Sequence, residues 1–234
     1  MENELTPSGN RLETFRAWAG VDSDISYYLN SHHVDICDSM VRRHGWLPAR
    51  VTASASRGTA TALGCDPATE DTITLLVTWR RADGDASKVA TGVYTASWTA
   101  PQRAGVHSNQ YFHYLASEGE VRVNQAKRGY DVADDGVGQL QWINPFYMRY
   151  APDEEGHFGG QGGYGYVSFE KFVDACCAVN AGQLTPADLD ARAALPTLRN
   201  TLATTAILEA GRRSIDEHRE IGIEVSEDGV WKLV

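Results

Sequence analysis

The sequence "DTITLLVTW" at residues 71–79, followed by "KVATGVYTASW" at residues 88–98, decides the fold class. Both runs are rich in β-branched residues and have the length of ordinary strands. The loop between them, "RRADGDAS", is polar and contains Gly84, so the pair predicts a β-hairpin. Strands that follow one another without a helix between them indicate a sheet that is mainly antiparallel.

Further strands are predicted on both sides of this hairpin. The run "RVTASASRGTA" at residues 50–60 predicts a strand before it. Residues 110–116 and 121–130 flank the turn "SEGE" and predict a second hairpin. The runs "GQLQWIN" at 138–144 and "FYMRY" at 146–150 add one or two more strands.

Helices are predicted before and after this strand-rich zone. Residues 22–45 carry apolar side chains at helical spacing, with a cap at Asp22, Ser23 or Asp24 and a stop at Gly45. Helices are also predicted from Ser168 to about Asn180 and from Pro196 to about Arg213, and a strand with a closing hairpin follows. Arg212 and Arg213 are expected in the last turn, where the helix dipole favours cations.

These elements predict an α+β fold. We expect one large, open, mainly antiparallel sheet with helices packed on one face, forming a single domain over residues 1–234. A chain of this length has enough apolar residues, 42%, to bury a substantial core.

The charge balance excludes several classes of partner. Asp and Glu number 31 against 21 Lys and Arg, which gives a formal net charge of -10, and the basic residues form no cluster. We therefore expect no nucleic-acid partner and no anionic membrane partner. The sequence shows no signal peptide and no apolar run of about 20 residues, and its four cysteines lack a zinc or disulfide spacing. Together these features favour a cytoplasmic protein that acts on small molecules.

A glycine-rich stretch at residues 160–165, "GQGGYG", matches the dinucleotide fingerprint G-x-G-x-x-G. That fingerprint requires a strand ending at the first glycine and a helix beginning inside the motif. The preceding predicted strand ends at Tyr150, and the next predicted helix begins only at Ser168. We therefore predict a tyrosine-bearing loop near the substrate, with Gln161, Tyr164 and Tyr166 as candidate contacts.

The first predicted helix carries a candidate acid–base group. Tyr28, His32, Asp35 and Ser39 are spaced so that they share one ridge of an α-helix. A histidine beside an apolar stripe can be a core residue, but with tyrosine and carboxylate neighbours it can also donate a proton.

Two other interpretations of charged residues stay open at this point. His32 and Asp35 could bind a metal with a third ligand such as His107 or His113, although nothing in the sequence fixes that ligand. Arg128, beside Tyr130 at the end of a predicted strand, could anchor a carboxylate by a bidentate contact or simply form a surface ion pair.

Four segments in order resemble a known family: residues 22–38, 109–130, 144–175 and 195–216. Their sequences are "DSDISYYLNSHHVDICD", "NQYFHYLASEGEVRVNQAKRGY", "NPFYMRYAPDEEGHFGGQGGYGYVSFEKFVDA" and "LPTLRNTLATTAILEAGRRSID". The chain resembles the C-terminal domain of the glucose–fructose oxidoreductase / inositol dehydrogenase / MocA family, closest to the D-galacturonate reductase-like branch. The likeness extends over roughly residues 11–225.

The resemblance implies a two-domain enzyme that transfers hydride between NAD(P) and a sugar, sugar acid or polyol. The family motif Asp-x-Gly-x-His-x-x-Asp falls on Tyr28, Asn30, His32 and Asp35, of which the histidine and the last aspartate match. His32 is therefore the implied proton donor to the carbonyl oxygen, with Tyr28 and Asp35 as further catalytic candidates. The candidates for binding the substrate are Asn30, His33, Arg128, Tyr130, Gln161, Tyr164 and Tyr166.

The family places a nucleotide-binding Rossmann domain before this region, and its glycine turn and Glu-Lys-Pro segment do not occur in this sequence. We therefore expect the substrate-binding and dimerisation half of an NAD(P)-dependent oxidoreductase, with no cofactor bound by this chain alone. The sequence is then a split gene product, a truncated gene product or one piece of a two-chain enzyme whose partner is a separate Rossmann-domain chain, and a homodimer is expected through the sheet. The alternative is a non-catalytic, stand-alone domain that dimerises or binds a sugar acid.

Overall fold

Three strands that follow one another along the chain form most of one antiparallel sheet. In the computed structural model, β1 is Trp46–Ser56, β2 is Thr72–Arg81 and β3 is Val89–Ser97, and each pairs antiparallel with the next. The structure describes residues 16–99, 109–124, 130–134, 139–143, 148–163, 165–192, 195–226 and 228–234. By their contacts, the residues divide into two compact units, 1–101 with 190–234, and 102–189. That the chain acts as a single domain stays a prediction.

Two strands from the C-terminal end complete the sheet of the first unit. β10, Ile221–Val225, pairs antiparallel with β1, and β11, Trp231–Leu233, pairs antiparallel with β10. The resulting order is β11-β10-β1-β2-β3. The predicted closing hairpin turns at Gly229, whose φ of 76° lies in the left-handed region that glycine adopts most easily. The predicted α+β class with an antiparallel sheet is confirmed.

The sheet buries one face because its side chains alternate in polarity. In β2, Ile73, Leu75, Val77 and Trp79 are 3% exposed or less. The residues between them point to the opposite face, where Leu76 is 46% exposed. Each successive residue in a strand faces the other side, so this alternation alone selects the face that the helices cover.

Helices that pack on the buried face of the sheet supply the other half of this core. A π-helical turn, Ser26–Asn30, continues into helix α1, Ser31–Val41, and a 3-10 turn leads to Gly45, where φ is 75°. Helix α2 is Thr59–Ala62, and helix α5 is Leu202–Glu217. Val34 of α1 and Ile207 of α5 are fully buried in the same cluster as the inward residues of β2.

The described residues of the second unit form three hairpins and two helices. The strands are β4, Tyr111–Ala116, β5, Gly119–Asn124, β6, Tyr130–Asp134, β7, Gln139–Ile143, β8, Met148–Pro152, and β9, Phe158–Gly163. They pair in sequence as β4–β5, β6–β7 and β8–β9. The helices are α3, Tyr166–Asn180, and α4, Pro186–Asp190. No helix in the described part of the chain is both long and apolar enough to cross a membrane.

The glycine-rich stretch is a strand, where we predicted a loop. β9 includes Gly160 and Gly162, pairs with β8, and is followed by α3 at Tyr166. Glycine disfavours strands on average, so the pairing of β9 with β8 accounts for the extended conformation of this stretch. The pairing is antiparallel, whereas the dinucleotide fingerprint belongs to a parallel βαβ unit.

The last long helix begins later than its sequence predicts. Pro196 suits a first helical turn, but residues 195–201 form turns and a short 3-10 helix before α5 starts at Leu202. The Asn200 amide donates to the Leu195 carbonyl at 3.0 Å, which satisfies this backbone outside a helix. Because α5 extends to Glu217, Arg212 lies inside the helix and not in its last turn.

Close packing of α5 on the sheet gives a stability prediction. A methyl group added at Gly211 would lie 2.5 Å from Cδ2 of Leu75, which is fully buried. We expect Gly211→Ala to lower the free energy of unfolding by roughly 1–3 kcal/mol, because the overpacking outweighs the gain in helix propensity. Urea denaturation measures this change, and Thr205→Ala on the exposed side of α5 should change stability by less than about 0.5 kcal/mol. A Gly211→Ala variant as stable as the wild type would contradict the packing.

Candidate functional site

The helix that carries the candidate histidine begins at a buried carboxylate. Oδ1 of Asp24 accepts the backbone N–H groups of Ser26 at 2.8 Å and Tyr27 at 3.0 Å. Of the three predicted caps, Asp24 therefore serves the helix start. The first turn is π-helical, because the N–H of Ser31 also bonds to the carbonyl of Ser26, five residues earlier. Turns of this kind often occur at functional sites.

Asn30 connects this turn to the sheet. Its side chain is 2% exposed, and Nδ2 donates to Oγ of Ser26 at 3.0 Å and to the carbonyl of Ile73 at 3.4 Å. A buried amide that is bonded in this way fixes the turn against β2. The geometry favours a structural role for Asn30 over the predicted contact with substrate.

Tyr28 and His32 are both exposed, but they belong to different helical segments. Tyr28 lies in the π-helical turn and is 52% exposed, whereas His32 lies in the first turn of α1. The single α-helical ridge that we predicted from Tyr28 to Ser39 therefore holds only from His32 onward. The wider π turn changes the rotation per residue, which no spacing rule for α-helices anticipates.

Two long-range hydrogen bonds hold this helix against α5. Oγ1 of Thr204 donates to Oδ1 of Asp35 at 3.2 Å, and the hydroxyl of Tyr27 donates to Oε2 of Glu209 at 2.6 Å. Burial, with Glu209 beside it, raises the pKa of Tyr27 and keeps its hydroxyl protonated as a donor. Both flanks of His32 are thus fixed to the same helix.

His33 faces inward, unlike His32. The side chain is half-buried, and its Nε2 is buried without a hydrogen-bond partner among the described residues. Burial lowers the pKa of His33, and the adjacent His32 lowers it further. Its predicted contact with substrate stays a prediction, and its half-buried ring lies on the inner side of the helix.

One arginine links the helix start to the sheet. Nη1 of Arg212 lies 3.3 Å from Oδ2 of Asp24 and 3.0 Å from Oε1 of Glu70, and Nη2 lies 2.6 Å from Asp216. Asp24 and Glu70 are 6% and 2% exposed. A second arginine, Arg57, reaches the same Glu70 oxygen at 2.6 Å.

The protonation of this cluster follows from burial and pairing. Burial raises the pKa of Asp24, while its backbone hydrogen bonds and Arg212 act in the opposite direction. Burial also disfavours the charge on Arg212, but the hydrogen bonds to Asp216 and Glu70 raise its pKa overall. The guanidinium therefore stays charged and compensates carboxylates that have left water.

Three aromatic rings meet beside the π-helical turn. The ring centroids of Trp18 and Tyr28 are 5.7 Å apart, those of Tyr28 and Trp98 are 5.2 Å apart, and those of the two tryptophans are 6.0 Å apart. Trp98 is 3% exposed, and Trp18 is half-buried. Among these rings, Tyr28 is the one most open to solvent.

A separate cavity lies at the edge of β1. It has a volume of about 770 Å³ and forms where β1 extends beyond its partner β10. Its lining residues come from β1 and from the end of α5: Thr52, Ala53, Ser54, Ala55, Arg57, Ser214, Ile215, His218, Arg219 and Glu220. None of these is a residue that we predicted to contact substrate.

The remaining predicted contacts belong to the second unit or fall outside the described residues. Tyr166 is the first residue of α3 and is half-buried, Tyr130 opens β6, and Gln161 lies in β9. Arg128 and Tyr164 lie outside the described residues. The structure places Tyr28 on the π-helical turn and His32 and Asp35 on α1, which follows it. A common site with the second unit stays a prediction.

The metal alternative gains no support from the described part of the chain. Within it, one group of three metal-ligating side chains comes together: Asp153, Glu155 and His157, with ligand atoms within 4.8 Å of one another. All three are exposed, and Asp153 already accepts the backbone N–H of His157 at 2.7 Å. The group contains neither His32 nor Asp35, and His107 lies outside the described residues.

Comparisons with known proteins find similarity among solved structures alone. No protein-family model matches the chain, and no curated protein matches it significantly. Among solved structures, it is similar to a myo-inositol dehydrogenase from Corynebacterium glutamicum, with 12% sequence identity and a TM-score of 0.49. The match covers 92% of this chain and 53% of the dehydrogenase, so the chain spans about half of that protein's length.

The Arg212 network gives a prediction with a control beside it in sequence. Arg212→Ala leaves the buried Asp24 without this cation and leaves Glu70 with Arg57, so we expect a loss of roughly 2–4 kcal/mol in the free energy of unfolding. Arg213→Ala removes an exposed pair with Glu217 and should cost less than about 1 kcal/mol. Chemical denaturation of both variants measures the difference, and equal losses would refute the anchoring role of Arg212.

His33 gives a prediction for the pH dependence of stability. Its pKa is lowered from 6.5 in the folded state, so the unfolded chain binds this proton more strongly. The contribution of His33 to the free energy of unfolding is present above its ordinary pKa. That contribution is lost as the pH falls below this value. We therefore expect the wild type to lose more stability than His33→Gln between about pH 7.5 and about pH 5.

Urea unfolding at a series of pH values measures this effect. His44→Gln, at an exposed histidine just after the same helix, serves as the control and should follow the wild type. If His33→Gln and the wild type lose stability in parallel, His33 does not titrate differently in the folded state.

Proposed function

We propose that this chain is the substrate-binding and dimerisation half of an NAD(P)-dependent, cytoplasmic oxidoreductase that acts on a sugar acid or sugar, as in the D-galacturonate reductase-like branch. The observation that carries the proposal is the anchored helix that presents His32 to solvent, with Asp35 fixed by Thr204 behind it. The sequence resemblance assigns the same histidine to proton transfer. The geometry supports that role because His32 is accessible while its helix is held at several points.

His32 supplies acid–base chemistry in this proposal. An imidazole changes charge near neutral pH, so it can donate a proton to a carbonyl oxygen during reduction and accept one during oxidation. Asp35 lies three residues later on α1, where Thr204 holds its carboxylate. Tyr28 replaces the family aspartate and offers a phenol and a ring surface in its place.

The cofactor does not fit the described residues of this chain. A dinucleotide site needs a glycine turn between a parallel strand and a helix, whereas Gly160 and Gly162 lie in an antiparallel hairpin. In the complete enzyme, NAD(P) would be held by a Rossmann domain, and the reduced cofactor would supply the hydride. This chain contributes the substrate contacts and the proton.

The test is turnover of the chain together with its nucleotide-binding partner, recovered by affinity purification from the native cell. With D-galacturonate and NADPH or NADH, we expect His32→Asn to lower kcat by about 10²-fold or more, because it removes the proton donor. The melting temperature should stay close to that of the wild type, since His32 is exposed.

His44→Asn is the matched control, because His44 is exposed and lies just beyond the same helix. It should leave kcat and KM unchanged. Undiminished turnover in His32→Asn would remove this histidine from the mechanism. Turnover by the purified chain alone would contradict the proposal that the cofactor is bound elsewhere.

A second candidate function is a non-catalytic domain that dimerises or binds a sugar acid. The outward face of the sheet favours a dimer, because Leu76 and Val93 are direct neighbours across β2 and β3 and are 46% and 65% exposed. Threonine side chains flank this pair, and Thr74 bonds to Thr95 at 3.0 Å. A homodimer through this face is compatible with either function. If the chain binds a sugar acid fully but shows no turnover together with its nucleotide-binding partner, the second function is favoured.

A further inference from the structure

We propose that Thr204 is a positioning residue, whose hydroxyl orients the Asp35 carboxylate so that Asp35 accepts a hydrogen bond from a substrate hydroxyl. This inference rests on the proposed function, since it adds a residue of α5 to the site on α1. Thr204 itself contacts no substrate and acts only through Asp35.

The first step is the contact between the two side chains. Oγ1 of Thr204 donates to Oδ1 of Asp35 at 3.2 Å. Thr204 is 7% exposed, whereas Asp35 is half-buried. Among the described residues, no other group donates a hydrogen bond to this carboxylate. Thr204 therefore fixes one oxygen of Asp35 and leaves Oδ2 available.

The second step is the contrast between Thr204 and the other threonines of this region. Thr201 and Thr205 each donate to the backbone carbonyl four residues earlier, at 3.2 Å. This local bond is a common one for a threonine in a helix. Thr204 instead donates to a side chain of another helix, 169 positions away in the sequence.

The third step is the reason for this difference. The carbonyl four residues before Thr204 belongs to Asn200, and it accepts a hydrogen bond from Nη2 of Arg42 at 2.7 Å. The same guanidinium pairs with the buried Asp38. Burial lowers the pKa of Arg42, whereas Asp35 acts in the opposite direction, so the charges of Arg42 and Asp35 are close enough to interact. Arg42 thus occupies the local acceptor and leaves the Thr204 hydroxyl for Asp35.

The fourth step is the position of Asp35 beside the candidate proton donor. His32 and Asp35 are three residues apart in α1, and residues at this spacing are neighbours on a helix surface. An ionised carboxylate accepts several hydrogen bonds, so Oδ2 suits a hydroxyl donor. The open-chain form of a sugar acid carries hydroxyls next to its carbonyl. Asp35 would bind such a hydroxyl while His32 protonates the carbonyl oxygen.

An oriented carboxylate is useful for an energetic reason. A side chain that is already held in its binding conformation loses less entropy when the substrate arrives. Because this contact exists before and during the reaction, its loss should weaken substrate binding more than it slows the chemical step. Thr204 should therefore affect KM, whereas His32 should affect kcat.

The experiment measures KM and kcat for D-galacturonate in the chain together with its nucleotide-binding partner. Thr204→Val removes the hydroxyl but keeps the shape of the side chain, and it should raise KM by roughly 3- to 10-fold, the range of one hydrogen bond. Thr204→Ser keeps the hydroxyl and should retain the wild-type KM. Thr205→Val removes a hydroxyl from the exposed neighbour and should have no effect.

A double-mutant cycle separates positioning from a general effect on folding. Asp35→Ala should raise KM, and adding Thr204→Val to it should raise KM no further, because Thr204 acts through Asp35. Melting temperatures of all variants are measured alongside. If Thr204 only stabilised the packing of α5, Thr204→Val would lower the melting temperature without changing KM.

Two results would overturn the positioning role: an unchanged KM in Thr204→Val, or the same rise in KM when Thr204→Val is added to Asp35→Ala. The His32→Asn assay decides proton transfer separately. Loss of kcat in His32→Asn with an unchanged KM in Thr204→Val retains the proposed function and rejects the positioning role. The opposite pair of results retains the positioning role and rejects His32 as the proton donor.

Discussion

The structure of the candidate site depends on one shared cation, the guanidinium of Arg212. It lies between Asp24, which caps the π-helical turn, and Glu70, which directly precedes the start of β2. Burying these two carboxylates without a cation would cost several kcal/mol, so the three elements must come together as a set. Tyr28 and His32 follow the cap within two turns of helix. Their position relative to the sheet is therefore set by ion pairs in which Glu70 and Arg212 lie far from them in the sequence.

The elements around this network could be predicted wherever their cause is local. Alternation of polarity in residues 71–79 predicts the buried face of β2, and Gly45 ends the first helical segment as its sequence indicates. The cap at Asp24 also follows from its position before an apolar run. The contact between Arg212 and Asp24 could not be predicted in this way, because it joins residues 188 positions apart. The helix dipole predicted Arg212 in the last turn of its helix. Helix α5 extends further than predicted, so Arg212 lies inside it.

The candidate site shows the same division between local and long-range causes. His32 could be singled out from spacing and family resemblance, and it lies on an exposed helical turn. The inward role of Asn30 and the π-helical turn depend on a hydrogen bond to the carbonyl of Ile73 in β2, which no local pattern encodes. The ring contacts of Tyr28 with Trp18 and Trp98 also join residues that are not neighbours in the sequence. Alternation along β3 does place Trp98 on the buried face with Tyr94 and Ala96, and this was the available signal.

We propose that a sugar acid binds at the exposed face of the π-helical turn and α1. The most direct test is a map of NMR chemical-shift changes when D-galacturonate is added to the isotopically labelled chain. We predict that the largest changes centre on Tyr28, His32 and Asp35, with smaller ones at the Trp18 and Trp98 indoles. Changes confined to the cavity at the edge of β1, around Arg57 and His218, would contradict the claim and place the binding site elsewhere.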